Sequence, residues 1–142
     1  MQIFIVKFVK LSEEIEKPHF FVLCKGMNSG KPLNLRCQNC FCVICSSEED
    51  KETLYWISFA LWRSKAFHPY LSGSVIPFIH INDFKQLVQI RLKIVNSDNG
   101  AFTEVVKNLK LIEQSEKHFQ ENLRLMEELK QAYVYKYFNK PG

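Results

Sequence analysis

No glycine or proline falls between Ala101 and Lys140, and this feature restricts the possible folds more than any other. Within that stretch Phe102, Val105, Leu109, Ile112, Glu116, Phe119, Leu123, Met126, Lys130, Tyr133 and Tyr137 follow one another in alternating steps of three and four, apolar or aromatic at all but Glu116 and Lys130. Steps of three and four keep residues on one face of an α-helix, so the spacing predicts one long helix over residues 101–138 with a coiled-coil seam. Phe102 to Phe138 would reach about 55 Å at 1.5 Å per residue, more than a small globular domain covers alone. Two arrangements satisfy the seam: packing against the chain's own head, or pairing with a second copy or a partner helix. The favoured expectation is a dimer interface formed by Phe102, Val105, Leu109, Ile112, Phe119, Leu123, Met126, Tyr133 and Tyr137. Glu113 four before Lys117 and Glu127 three before Lys130 read as solvated flanks. The aromatic end, Tyr133, Tyr135, Tyr137 and Phe138, is expected to touch the head or the partner.

Before the polar break Asn96-Ser97-Asp98-Asn99-Gly100 the period changes. Short apolar runs bounded by turn residues predict strands at Ile3 to Val9, Phe20 to Cys24, Phe41 to Cys45, Val75 to Ile81 and Val88 to Val95. Between them Glu52 to Ala66 reads as a helix, with Leu54, Ile57 and Leu61 on one stripe and Trp56, Phe59 and Ala60 beside it, after the acidic start Glu48, Glu49, Asp50. His68 and Pro69 are expected to stop it, Leu71 to Ser74 to turn the chain, and Asn82 or Asp83 to cap a short helical turn at Phe84 to Leu87. The fold class expected is α+β. A small, mostly antiparallel sheet with one packed helix forms a head over residues 1–95, and a long C-terminal coiled-coil-like helix follows.

Charge divides at the same place. The first 95 residues hold twelve Lys and Arg against eight Asp and Glu, the remainder seven of each, so the whole +4 excess lies on the head. The sequence pI is near 8.8. This permits an anionic partner without giving the footprint of a strongly basic nucleic-acid binder. The first nine residues are broken by Lys7 and read as a strand, not an export signal. No run of eighteen apolar residues could span a bilayer, and five cysteines without a secretion signal suggest reduced thiols in the cytoplasm.

No catalytic motif is present, and the expectation is a non-enzymatic protein with no cofactor, resident metal or evident small-molecule substrate. Cys37-Gln38-Asn39-Cys40-Phe41-Cys42-Val43-Ile44-Cys45 holds two C-x-x-C pairs one residue apart. Two zinc knuckles need a longer return of the chain between them. The strand composition of Phe41 to Cys45 places Cys40 and Cys42 on one face and Cys45 on the other, as buried thiols acting as small hydrophobes. Cys37 and Cys40 with Cys24 or a histidine remain open as a metal set, or as a redox pair. Lys25-Gly26-Met27-Asn28-Ser29-Gly30-Lys31 is not a phosphate loop, because three residues separate its glycines and Pro32 follows the lysine. As a polar turn it sets Lys25 and Lys31 beside backbone amides, where they could meet phosphates. The histidines at 19, 68, 80 and 118 form no pattern, although His68 with Trp62, Arg63, Lys65 and Tyr70 gathers donors and aromatics at a helix end.

The helix Leu54 to Ser64, then Phe67, the turn Ser72-Gly73-Ser74, the run Val75-Ile76-Pro77-Phe78-Ile79, the segment Asn82 to Leu87 and the long helix together resemble the target-recognition domain of type I restriction-modification specificity subunits. The resemblance spans about residues 20 to 138. It lacks the proline-rich junction with a Glu-Gln pair that usually leads into that family's helix. It implies a DNA-recognition module with a long helix that spaces such domains; here the expected contacts with double-stranded DNA are Lys25, Lys31, Arg36, Arg63, Lys65 and His68, with the helix fixing dimer geometry. A protein-interaction subunit without nucleic-acid binding, and a cysteine metal or redox protein, are the alternatives.

Overall fold

The computed structural model describes residues 4–141; of the first expected strand, Ile3 lies outside them. The chain divides into two compact units, one ending at Asn99 and the other beginning at Gly100.

The first unit is built on a four-stranded antiparallel sheet of β1 (Phe4–Lys7), β2 (His19–Leu23), β3 (Pro32–Leu33) and β4 (Cys40–Cys45), in the order β1-β4-β2-β3. β4 is central, pairing Phe4 with Cys45 on one side and Phe20 with Val43 and Val22 with Phe41 on the other. These residues share one face, covered by α1 (Glu48–Arg63) and α2 (Ile81–Asn96): Phe20 meets Tyr55 edge-on, and Phe41 meets Phe84 with ring centroids 5.1 Å apart. The opposite face carries Phe21, Cys40 and Cys42 with Leu33 and Ile44 beside them, and Val9, Ile15 and Cys37 pack against this cluster. A sheet apolar on both faces needs cover on both, and the stretch after β1 supplies the second layer without regular structure. The alternation expected for the cysteines is therefore what β4 shows.

α1 starts four residues before the expected Glu52. Ser47 caps it by accepting the Asp50 N–H at 3.1 Å, and Glu48, Glu49 and Asp50 occupy its positive end. Leu54, Trp56, Ile57, Phe59 and Leu61 are buried, and the buried Ser58 hydroxyl is satisfied by the Leu54 carbonyl at 2.8 Å. His68 and Pro69 do not end this helix; it stops at Arg63. The Ala66 N–H returns to the Leu61 carbonyl and the Lys65 N–H to the Trp62 carbonyl, with Lys65 left-handed at φ 60°. This is a Schellman closure. His68–Tyr70 then form a single 3₁₀ turn.

Two strand expectations are corrected. Val88 to Val95 is the second half of α2, which also absorbs the short turn expected at Phe84 to Leu87, so the head has two packed helices. Val75 to Ile81 makes no strand. Phe78 forms isolated bridges to Lys25 and Ser72, Pro77 has no N–H to give a ladder, and Val75 is 89% exposed. The two-residue strand β3 was not anticipated.

The second unit is α3 (Ala101–Phe138), closed by Asn139, whose backbone N–H and side-chain amide both donate to the Tyr135 carbonyl. Arg124 pairs with Glu121 and Glu128, and Lys130 with Glu127 at 3.6 Å. Such exposed pairs solubilise a helix and add little stability.

Candidate nucleic-acid interface

The turn after β2 is shaped by two left-handed glycines, Gly26 at φ 91° and Gly30 at φ 99°. Its amides are largely spent within the fold. Gly26 N–H donates to the Pro77 carbonyl, Ser29 N–H to Gly26, Gly30 N–H to Leu23 and Lys31 N–H to Asn28. Contact with an anion at this turn therefore falls to side chains. Gly30 is also pressed against the segment after α1: a Cβ there would lie 2.1 Å from Cδ2 of Phe67. That close approach brings the end of the turn to the end of α1.

Where they meet, Trp62 organises the charge. The Lys31 ammonium lies 5.1 Å from the centroid of its indole ring, the Arg63 guanidinium also at 5.1 Å, and its N–H makes a long bond of 3.4 Å to the Asn28 side-chain oxygen. The ring quadrupole attracts both cations. Lys65 follows in the left-handed position where glycine is the usual occupant, a placement that costs an L-residue roughly 1–2 kcal/mol. Along α1 the acids Glu48, Glu49 and Asp50 lie at one end and Arg63 at the other, about 20 Å from Asp50 at 1.5 Å per residue.

The other expected contacts are distributed differently. Lys25 is exposed at the start of the turn, beside an apolar hollow of about 410 Å³ that it lines with Ile76 and Phe78. His68 is half-buried in the 3₁₀ turn. Arg36 is a structural residue: its guanidinium donates to the carbonyls of Lys10 at 2.9 Å, Leu11 at 2.6 Å and Glu13 at 2.7 Å, and lies over the Phe21 ring. It anchors the stretch after β1 to the outer sheet face and has little left to offer a phosphate. Asn28 escaped the sequence reading, because nothing in a polar turn says which amide side chain will meet an indole far along the chain.

On α3, Val105, Ile112, Phe119, Leu123, Met126, Tyr133 and Tyr137 are exposed, and Phe102 and Leu109 half-buried. Phe119 is 69% exposed and Tyr133 72%, large values for aromatic side chains on one helix face.

All five cysteines are free thiols. Burial pushes Cys40 and Cys42 up to about 11 and Cys45 to about 12, and raises Cys24. Among the described residues no three His, Cys, Asp or Glu side chains are placed to hold a metal ion, so a set made from Cys24, Cys37 and Cys40 is not formed. No helix among the described residues is long and apolar enough to cross a membrane.

Comparison with the curated proteins and with the solved structures finds no match. The model of a protein family, the family of unknown function DUF6943, matches residues 6–136, from β1 to the last turns of α3, and the chain belongs to that family.

Proposed function

We propose that the protein is a non-catalytic binding module whose head contacts the phosphate backbone of double-stranded DNA through Lys31, Arg63 and Lys65, and whose helix α3 pairs with a second copy of the chain. The observation that carries the head's role is the placement of Lys31 and Arg63 over one indole, with Lys65 two residues further along the chain from Arg63. Lys25 and His68 add secondary contacts. The resemblance to restriction specificity subunits supports the reading through α1 and α3 alone, since two of its other segments are a bridged loop and part of α2. Five unpaired thiols suit a reducing compartment, and residence in the cytoplasm is part of the proposal.

Three phosphate contacts per head give a logarithmic salt slope of about −2.7, or roughly a 40-fold loss of affinity between 50 and 200 mM salt. Fluorescence anisotropy with a labelled duplex pool measures this directly. The intact protein is expected to bind at low salt and weaken along that slope, while the Lys31→Ala/Arg63→Ala/Lys65→Ala variant loses binding. Salt-independent binding, or a variant that binds as well as the parent, rules the head's role out.

A second reading, a protein-interaction subunit without nucleic-acid binding, is favoured by the exposed row on α3. It takes over if no duplex is bound at low salt and self-association or partner binding through α3 persists.

A further inference from the structure

Cys37 and Cys40 stand apart from the other thiols in how they are held. A turn at Gln38–Asn39 joins them and leads directly into β4, and the first and fourth Cα atoms of such a turn lie within about 7 Å, inside the span a disulfide tolerates. The Cys40 sulfur accepts the Cys37 N–H at 3.2 Å and donates its own proton to the Cys37 carbonyl at 2.9 Å. Cys40 is buried, whereas Cys37 is only half-buried at the edge of the outer-face cluster. Cys24 comes close to this turn through its backbone, its N–H donating to the Asn39 carbonyl at 2.9 Å. Cys42 and Cys45 are fully buried within the sheet.

We propose that Cys37 and Cys40 are a peroxide-reactive pair that closes into an intrachain disulfide. The reachable Cys37 sulfur, giving up its proton to the leaving oxygen, attacks the other oxygen of hydrogen peroxide. An S–O bond forms, the O–O bond breaks, and the hydroxide released takes that proton to become water. The Cys40 sulfur, giving up its proton, attacks the Cys37 sulfenic sulfur; the S–S bond forms, the S–O bond breaks, and the departing hydroxide takes that proton as a second water. Two thiols lose two electrons in all, and one peroxide gains them. Cys40 needs no large movement, because it already lies against the backbone of Cys37. The site is separate from the cations around Trp62 and does not depend on DNA binding or on helix pairing.

The test is a thiol count on the full-length reduced protein. After removal of reductant it is exposed to one equivalent of hydrogen peroxide, denatured, alkylated with iodoacetamide and weighed intact. The untreated chain takes five labels, one for each free thiol; the treated chain is expected to take three and to recover five on reduction. Cys24→Ala should still lose two labels, while Cys37→Ser and Cys40→Ser should lose none as a disulfide. Five labels on the treated wild-type chain overturn the proposal without any variant. So does a loss of two labels that survives in Cys37→Ser or disappears in Cys24→Ala.

Discussion

Gly30 shows how much one missing side chain can fix. Its left-handed φ turns the chain, and its bare Cα admits the Phe67 ring, which stacks on Phe84 of α2. Gly26 shares the left-handed φ but has nothing within 4 Å of where a Cβ would go. The pair separates backbone strain from packing. Gly26→Ala should cost roughly 1–2 kcal/mol for conformation alone. Gly30→Ala should cost about 2–5 kcal/mol, because overpacking adds to the same strain, and should weaken the meeting of Lys31 with Trp62. Urea unfolding of the two variants measures the difference, and equal losses would mean that the ring yields without cost. The sequence shows both glycines as turn formers, but which of them carries packing depends on a residue from another element. The same holds for the cations. Lys31 and Arg63 are visible as basic residues near a turn and a helix end, whereas Arg36, equally basic, is consumed by three carbonyls that no local pattern reveals.

α2 shows why one element was misread. Val88, Ile90, Leu92 and Ile94 alternate with Gln89, Arg91 and Lys93, which is the pattern of a half-buried strand. The same residues also hold a helical stripe, Phe84, Val88 and Leu92, and that stripe is buried while Ile90 and Ile94 are about half exposed. Both periods are present, and the Phe84 contact with Phe41 of β4 decides between them. α3 was legible because nothing in it competes with the three-and-four spacing. Its seam is interrupted by charges of opposite sign, Glu116 and Lys130, two heptads apart with Leu123 midway. A parallel pair sets Glu116 against Glu116 and Lys130 against Lys130. An antiparallel pair centred near Leu123 sets each Glu116 alongside the other copy's Lys130, so charge complementarity favours a second copy running the opposite way. Glu116→Lys alone should then raise the dimer dissociation constant about tenfold or more, ~1.4 kcal/mol, and adding Lys130→Glu should restore it. Sedimentation equilibrium distinguishes the orientations, because a parallel pair merely exchanges one like-charged contact for another and gains nothing from the double variant.

Across the molecule, the break near Asn96 to Gly100 was readable from both period and charge, and the units divide there. The stability of the first unit as a whole was less readable, because it depends on thiols buried on both faces of its central strand. Cys42 lies against Phe21 on the outer face, while Cys45 belongs to the face that the helices cover. Burial disfavours their charged forms, raising them from an ordinary 9.0 to about 11 and about 12. Above pH 9 the unfolded chain gives up protons that the folded chain keeps, so the folded state binds more protons and stability falls as pH rises. The contribution is fully present below pH 9 and declines toward pH 11–12, at about 1.4 kcal/mol per pH unit for each thiol. Urea unfolding under reducing conditions should therefore show a loss of about 2–3 kcal/mol for the two thiols between pH 8 and pH 10. Cys42→Ala/Cys45→Ala starts less stable for lack of their packing, but its curve should be flatter over that range. If parent and variant lose the same amount on the alkaline side, the thiols do not set the fold's alkaline limit.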